Sequence, residues 1–143
     1  MYRHILIPTD GSELAEHGVT NGLALAKSLE AKVSVIVVKE PFDELRFIEV
    51  PGQSEEFAEQ TKKHATSVLN RAANAAKQAG VSCDTIQVEH EQPYQAIIAA
   101  AKDRGCDLIV MSSHGRSGLS AVLLGSVTNK VLTHTKSPVL VCH

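Results

Sequence analysis

Val33-Ser34-Val35-Ile36-Val37-Val38 is the stretch whose reading decides the fold. It is nearly continuous in β-branched residues, the pattern of a strand covered on both faces, and such strands belong to parallel sheets flanked by helices. Working outward, His4 to Thr9, Cys106 to Met111 and Pro138 to Cys142 are short apolar runs of the same kind. Val81 to Glu89 instead alternates Val81, Cys83, Ile86 and Val88 with polar residues, so this strand is exposed on one face or lies at the sheet edge.

The segments between these strands have helical periods. After Asp10-Gly11-Ser12 the apolar side is Leu14, Val19, Leu23, Leu25, Ala26 and Leu29, and Asp10 with Glu13 has capping-box spacing. From Ser54 to Ala79 the alanines with Phe57, Val68 and Leu69 form the longest helix, supported by Glu59 and Lys63 and stopped by Gly80. Pro93 to Arg104 is a helix ended by Gly105. Gly125 would cost about 1 kcal/mol inside a continuous helix, so a turn ends there and a last helix starts on Ser126 as N-cap, closing at Thr135 to Ser137. Lys39 to Gln53 carries Pro41 and Pro51 and is a long loop. Alternating strands and helices imply right-handed βαβ units. The expected fold is α/β: a single doubly wound domain over residues 1–143, with a five-stranded parallel sheet of order 3-2-1-4-5 and helices on both faces.

Composition narrows the function. A formal charge of -2 and a pI near 6.4, without a basic block, lack the footprint of a nucleic-acid binder. The three cysteines, Cys83, Cys106 and Cys142, are far apart and read as buried thiols in a reducing compartment. No signal-peptide core or membrane-length apolar run is visible, so a cytoplasmic protein without membrane insertion is expected.

In the expected order, strands one and four are neighbours whose helices leave in opposite directions, opening a crevice beyond their carboxyl ends. The two polar turns, Asp10 to Ser12 and Ser112 to Gly118, follow those strands. Main-chain N–H groups of the glycine loop and of Ser126, Val127 and Thr128, with the Ser126 and Thr128 hydroxyls, suit phosphates. Asp10 suits ribose hydroxyls, and Val37 and Val38 offer main-chain polar groups and apolar surface to a flat base. The sum is a nucleotide site. It matches neither a P-loop, nor G-x-G-x-x-G, nor a nucleophile elbow. His114 has no nucleophile or carboxylate pair beside it, so a structural or phosphate-side hydrogen bond is expected; the other histidines read as surface residues, and no residue is assigned a catalytic or metal-binding role. Arg116 and Lys130 read either as neutralising phosphate charge or as simply solvated, with solvation favoured for Lys130. Phe42 to Ile48, following strand two, is expected to overhang the crevice, either packed on the domain or serving as a flap.

Three stretches carry a family resemblance: Ile5-Leu6-Ile7-Pro8-Thr9-Asp10-Gly11-Ser12, Asp107 to Met111, and Ser137-Pro138-Val139-Leu140-Val141. With them the chain resembles the universal stress protein family over essentially its full length. Nucleotide-binding members carry Gly, two residues, Gly, nine residues, then Gly-Ser or Gly-Thr; here Gly115 and Gly125-Ser126 keep that spacing, and Ser112 stands at the first glycine. The resemblance implies that Pro8, Thr9, Asp10 and Val38 surround adenosine. Met111, Ser112, Gly115, Gly125, Ser126, Val127 and Thr128 would hold the rest of ATP, with Mg²⁺ carried mainly by phosphates and water. It also implies a nucleotide-responsive binding module in stress response, dimerising through the uncharged edge Val139 to Cys142. The alternatives are a slow ATPase on the same site and, because of Ser112, a nucleotide-free stress protein.

Overall fold

The computed structural model describes residues 1–41, 53–114 and 124–143. In chain order the elements are β1 (His4–Pro8), α1 (Glu13–Leu29), β2 (Lys32–Lys39), α2 (Gln53–Ala79), β3 (Cys83–Glu89), α3 (Pro93–Arg104), β4 (Leu108–Ser112), α4 (Ser126–His134) and β5 (Val139–Cys142). The five strands form one parallel sheet in the order β3-β2-β1-β4-β5. The expected doubly wound fold is the observed one.

Strand alternation divides the core into two layers. Ile5, Ile7, Val33, Val35, Val37, Leu108 and Val110 face Val19 and Leu23 of α1 and Ala65, Val68 and Ala72 of α2. Leu6, Ile36, Ile109 and Met111 face Ile97 and Ala101 of α3 and Val131 of α4. Helix α1 comes especially close to the sheet because Gly18 and Gly22 lie on its buried face. A Cβ on Gly22 would collide with Ile7, and one on Gly18 would sit 3.2 Å from the Ser112 nitrogen. A purely apolar stripe does not reveal this contact, since glycine adds nothing to a hydrophobic period.

Several boundaries differ from expectation, each for a local reason. The cap of α1 is Ser12, whose hydroxyl accepts the Ala15 N–H at 3.3 Å, while the Asp10 carboxylate accepts the Ser12 N–H at 2.9 Å in a turn before the helix. Gly125, and not Ser126, occupies the N-cap of α4. Strand β4 begins two residues after Cys106, because the Cys106 N–H closes the end of α3 on the Ala101 carbonyl. β3 likewise begins at Cys83, the Val81 N–H being used on Ala76 at the end of α2. Of the three free thiols only Cys106 is buried; Cys83 and Cys142 are half-buried. Burial, together with Asp84 and Asp107, raises the Cys106 pKa to about 11. Residues Phe42 to Ile48 lie outside the described residues.

The sheet end opposite the crevice is fastened by polar groups. His4, expected at the surface, is buried; its Nε2 lies 2.7 Å from Ser34 Oγ and its Nδ1 3.1 Å from the Arg104 carbonyl. Ser34 donates to Asp84 at 2.5 Å, and Asp84 pairs with the Arg104 guanidinium at 2.5 Å. Burial, then Lys32, pushes the His4 pKa down against the pull of Asp84 and Asp107. Asp107 accepts the Arg3 and His4 main-chain N–H groups; burial raises its pKa, but those bonds outweigh it and hold the carboxyl below its ordinary value.

Candidate functional site

At the other end, β1 and β4 are paired neighbours whose chains depart to opposite faces, α1 to one and α4 to the other. The β1 side of this crevice is a tight turn. Thr9 N–H donates to the Ile36 carbonyl at 2.9 Å, Gly11 N–H donates to Thr9 Oγ1 at 3.1 Å, and Asp10 holds the Ser12 N–H. Gly11 has φ +83, and a Cβ there would meet Val68 at 2.5 Å, so helix α2 presses against the turn where only glycine fits. His64 of α2 donates from Nε2 to the Asp10 carbonyl at 3.1 Å. The sequence gives no sign of this brace, because His64 lies 54 residues away on another helix.

Val38 belongs to the crevice through its main chain. Along β2, odd residues direct N–H and C=O toward β3, as in Val33 N–H to Ser82 and His90 N–H to Lys39. Even residues face β1, as Ile36 does in accepting from Thr9. Val38 is the next even residue and faces the space beyond the end of β1. Its half-buried side chain packs on the same core layer as Val127 and Tyr94.

The β4 side is built from main chain and hydroxyls. Ser113 N–H donates to the Cys142 carbonyl, and the Ser113 carbonyl accepts the Gly125 N–H, both at 2.7 Å. The buried Thr128 hydroxyl donates to the Ser112 carbonyl at 2.8 Å, so Thr128 offers a ligand its main-chain N–H rather than its hydroxyl hydrogen. These two bonds seat the start of α4 on the end of β4. No side chain caps α4, leaving the first-turn N–H groups of exposed Ser126, half-buried Val127 and buried Thr128 at the positive end of the helix. Ser112 is a β4 residue; its hydroxyl donates to the His114 carbonyl at 2.7 Å, and its φ is not positive, since Glu30 is the sole positive-φ non-glycine among the described residues. Met111 is buried beneath it.

Pro8, Thr9, Asp10, Val38, Met111, Ser112, Gly125, Ser126, Val127 and Thr128 thus all sit at one end of the sheet, on β1, β2, β4, α4 and the turns beside them. Gly115, Arg116 and Gly118 lie outside the described residues. Lys130 is exposed and lies over the Tyr94 ring at 5.6 Å. No described helix is long and apolar enough to cross a membrane, and no cluster of metal-ligating side chains occurs among the described residues.

A model of the universal stress protein family matches residues 1–143. This chain belongs to the universal stress protein family. Universal stress protein MJ0531 of Methanocaldococcus jannaschii is 34% identical over 143 residues, spanning 99% of this chain and 82% of MJ0531. The solved structure of MJ0577, a second universal stress protein of that organism, superposes with a TM-score of 0.79 at 30% identity, covering 99% of this chain and 95% of MJ0577. A universal stress protein solved in complex with cAMP is 26% identical, with a TM-score of 0.70 over 99% of this chain and 97% of the other. The universal stress protein fold and a nucleotide-binding relative therefore accompany the crevice described above.

Proposed function

We propose that this universal stress protein binds ATP in the β1/β4 crevice and acts as a nucleotide-responsive binding and regulatory module, as a homodimer in the cytoplasm. The observation that carries the reading is the uncapped first turn of α4, set on the end of β4, while the Asp10 turn follows the neighbouring strand β1 at the switch point. Those N–H groups suit phosphates, Asp10 suits ribose hydroxyls, and the Val38 main chain suits the edge of adenine. Ser112 serves in place of the motif glycine because its backbone is extended. Mg²⁺ would be held by phosphates and water, since the described residues provide no carboxylate or imidazole cluster for it. β5 is an edge strand with Leu140 exposed, and pairing of two such edges is the dimer contact proposed.

The test is to heat the purified protein, chromatograph what it releases, and titrate the nucleotide-free protein with ATP by calorimetry. Bound or titratable ATP supports the reading. A protein that carries no nucleotide and gives no heat with ATP is the nucleotide-free alternative, and catalytic accumulation of ADP is the slow ATPase.

A further inference from the structure

Among the described residues, two buried side-chain atoms lack a hydrogen-bond partner, Glu16 Oε1 and His114 Nε2. Glu16 has an ionic partner in the Arg71 guanidinium at 3.3 Å. His114 Nε2 has none, although the residue is only 8% exposed. A buried polar atom kept without a partner calls for a reason, and one reason is a ligand that supplies the missing bond.

His114 is fixed from several directions. Its Nδ1 lies 3.0 Å from the Ser113 hydroxyl, its carbonyl accepts the Ser112 hydroxyl, and the Ser113 carbonyl before it accepts the Gly125 N–H that seats α4. The imidazole therefore follows directly on the peptide carbonyl that anchors the uncapped helix start. We propose that His114 Nε2 donates a hydrogen bond to a phosphate oxygen of the bound nucleotide, a side-chain donor beside the main-chain N–H groups of α4. The proposal rests on the nucleotide reading above and adds a residue and a tautomer to it. Phosphate oxygens accept, so Nε2 must carry hydrogen; in that tautomer Nδ1 is an acceptor, and the Ser113 hydroxyl 3.0 Å away donates to it. The protein without ligand bears an unpaired donor that the ligand satisfies, so His114 serves binding without serving stability.

That separation is measurable. In His114→Phe, ring volume is kept and both nitrogens go; losing the Ser113 contact is offset by losing the unpaired donor. The unliganded variant is expected to melt close to the wild-type temperature while its Kd for ATP rises about tenfold to a hundredfold, as for one hydrogen bond to a charged group. His114→Gln, which retains a donor at the reach of Nε2, recovers part of that loss. Independently of any variant, the wild-type His114 Nε2 ¹⁵N resonance shifts on addition of ATP. Wild-type protein that binds ATP while this resonance stays still, or a folded Phe variant with unchanged Kd, overturns the role of His114 and leaves the ATP reading standing. Wild-type protein that binds no ATP takes down both.

Discussion

Replacing Thr128 by valine isolates the bond that joins α4 to β4. The two side chains have nearly the same shape and both are β-branched, so χ1 and volume are retained. What changes is the hydroxyl, which is 3% exposed as a residue and donates to the Ser112 carbonyl at 2.8 Å. A buried carbonyl deprived of its donor costs about 1–3 kcal/mol, and the exchange of hydroxyl for methyl recovers a little through added apolar surface. A net loss of about 2 kcal/mol is expected; for a domain near this size each kcal/mol lowers Tm by roughly 2–4 °C, giving about 4–8 °C. Urea titration followed by circular dichroism would show a lower midpoint with unchanged slope, and differential scanning calorimetry the lower Tm. Thr128→Ser, which keeps the hydroxyl, should lose about half as much. A valine variant within 1 °C of wild type, or a serine variant worse than valine, would refute the claim that this hydroxyl seats the helix.

Leu140→Lys places a charge on the exposed edge of β5 and should convert the proposed dimer to a monomer by light scattering; a dimer that persists removes this edge as the contact. Ser112→Gly should change ATP affinity less than about threefold, because no positive φ demands glycine and the hydroxyl is spent on His114; a gain above tenfold would mean the serine obstructs phosphate. His4 and Asp107 both have folded pKa values below their ordinary 6.5 and 3.8. Each therefore binds fewer protons folded than unfolded, and its stabilisation is present above the ordinary value and lost as pH falls toward the folded one. Urea midpoints should fall in one step below about pH 6.5 and again below about pH 4, with His4→Gln abolishing the first step; a flat profile from pH 7.5 to 5 contradicts the His4 assignment.

Much of this molecule is legible from local rules. Val33 to Val38 reads as a doubly covered strand because both faces are apolar, and α3 is bounded in the sequence because Pro93 can start a helix and Gly105 can end one in the left-handed region. Asp10 and Ser12 show where local rules become ambiguous: both residues cap well, and only the turn geometry decides that Ser12 holds the helix while Asp10 holds Ser12. The end of α1 carries no glycine at all, since Glu30 itself takes the left-handed conformation at φ 57. What the sequence hides is tertiary. Gly18 and Gly22 matter through atoms of Ile7 and Ser112, His64 through a carbonyl on another turn, and His4 through Ser34 on the neighbouring strand. None of these partners lies within a helical or strand period of the residue that needs it.

The His4, Ser34, Asp84 and Arg104 cluster has a bearing on how the sheet moves. It ties β1, β2, β3 and the end of α3 together at one pole, where every one of its bonds is protein to protein. The opposite pole ends in a turn, an uncapped helix and a buried nitrogen awaiting a partner. Local opening should therefore begin at the crevice and die away toward His4, like a fan held at its rivet, and amide exchange should run in a gradient from one pole to the other. A nucleotide bound as proposed would add its own bonds at the crevice pole and flatten that gradient.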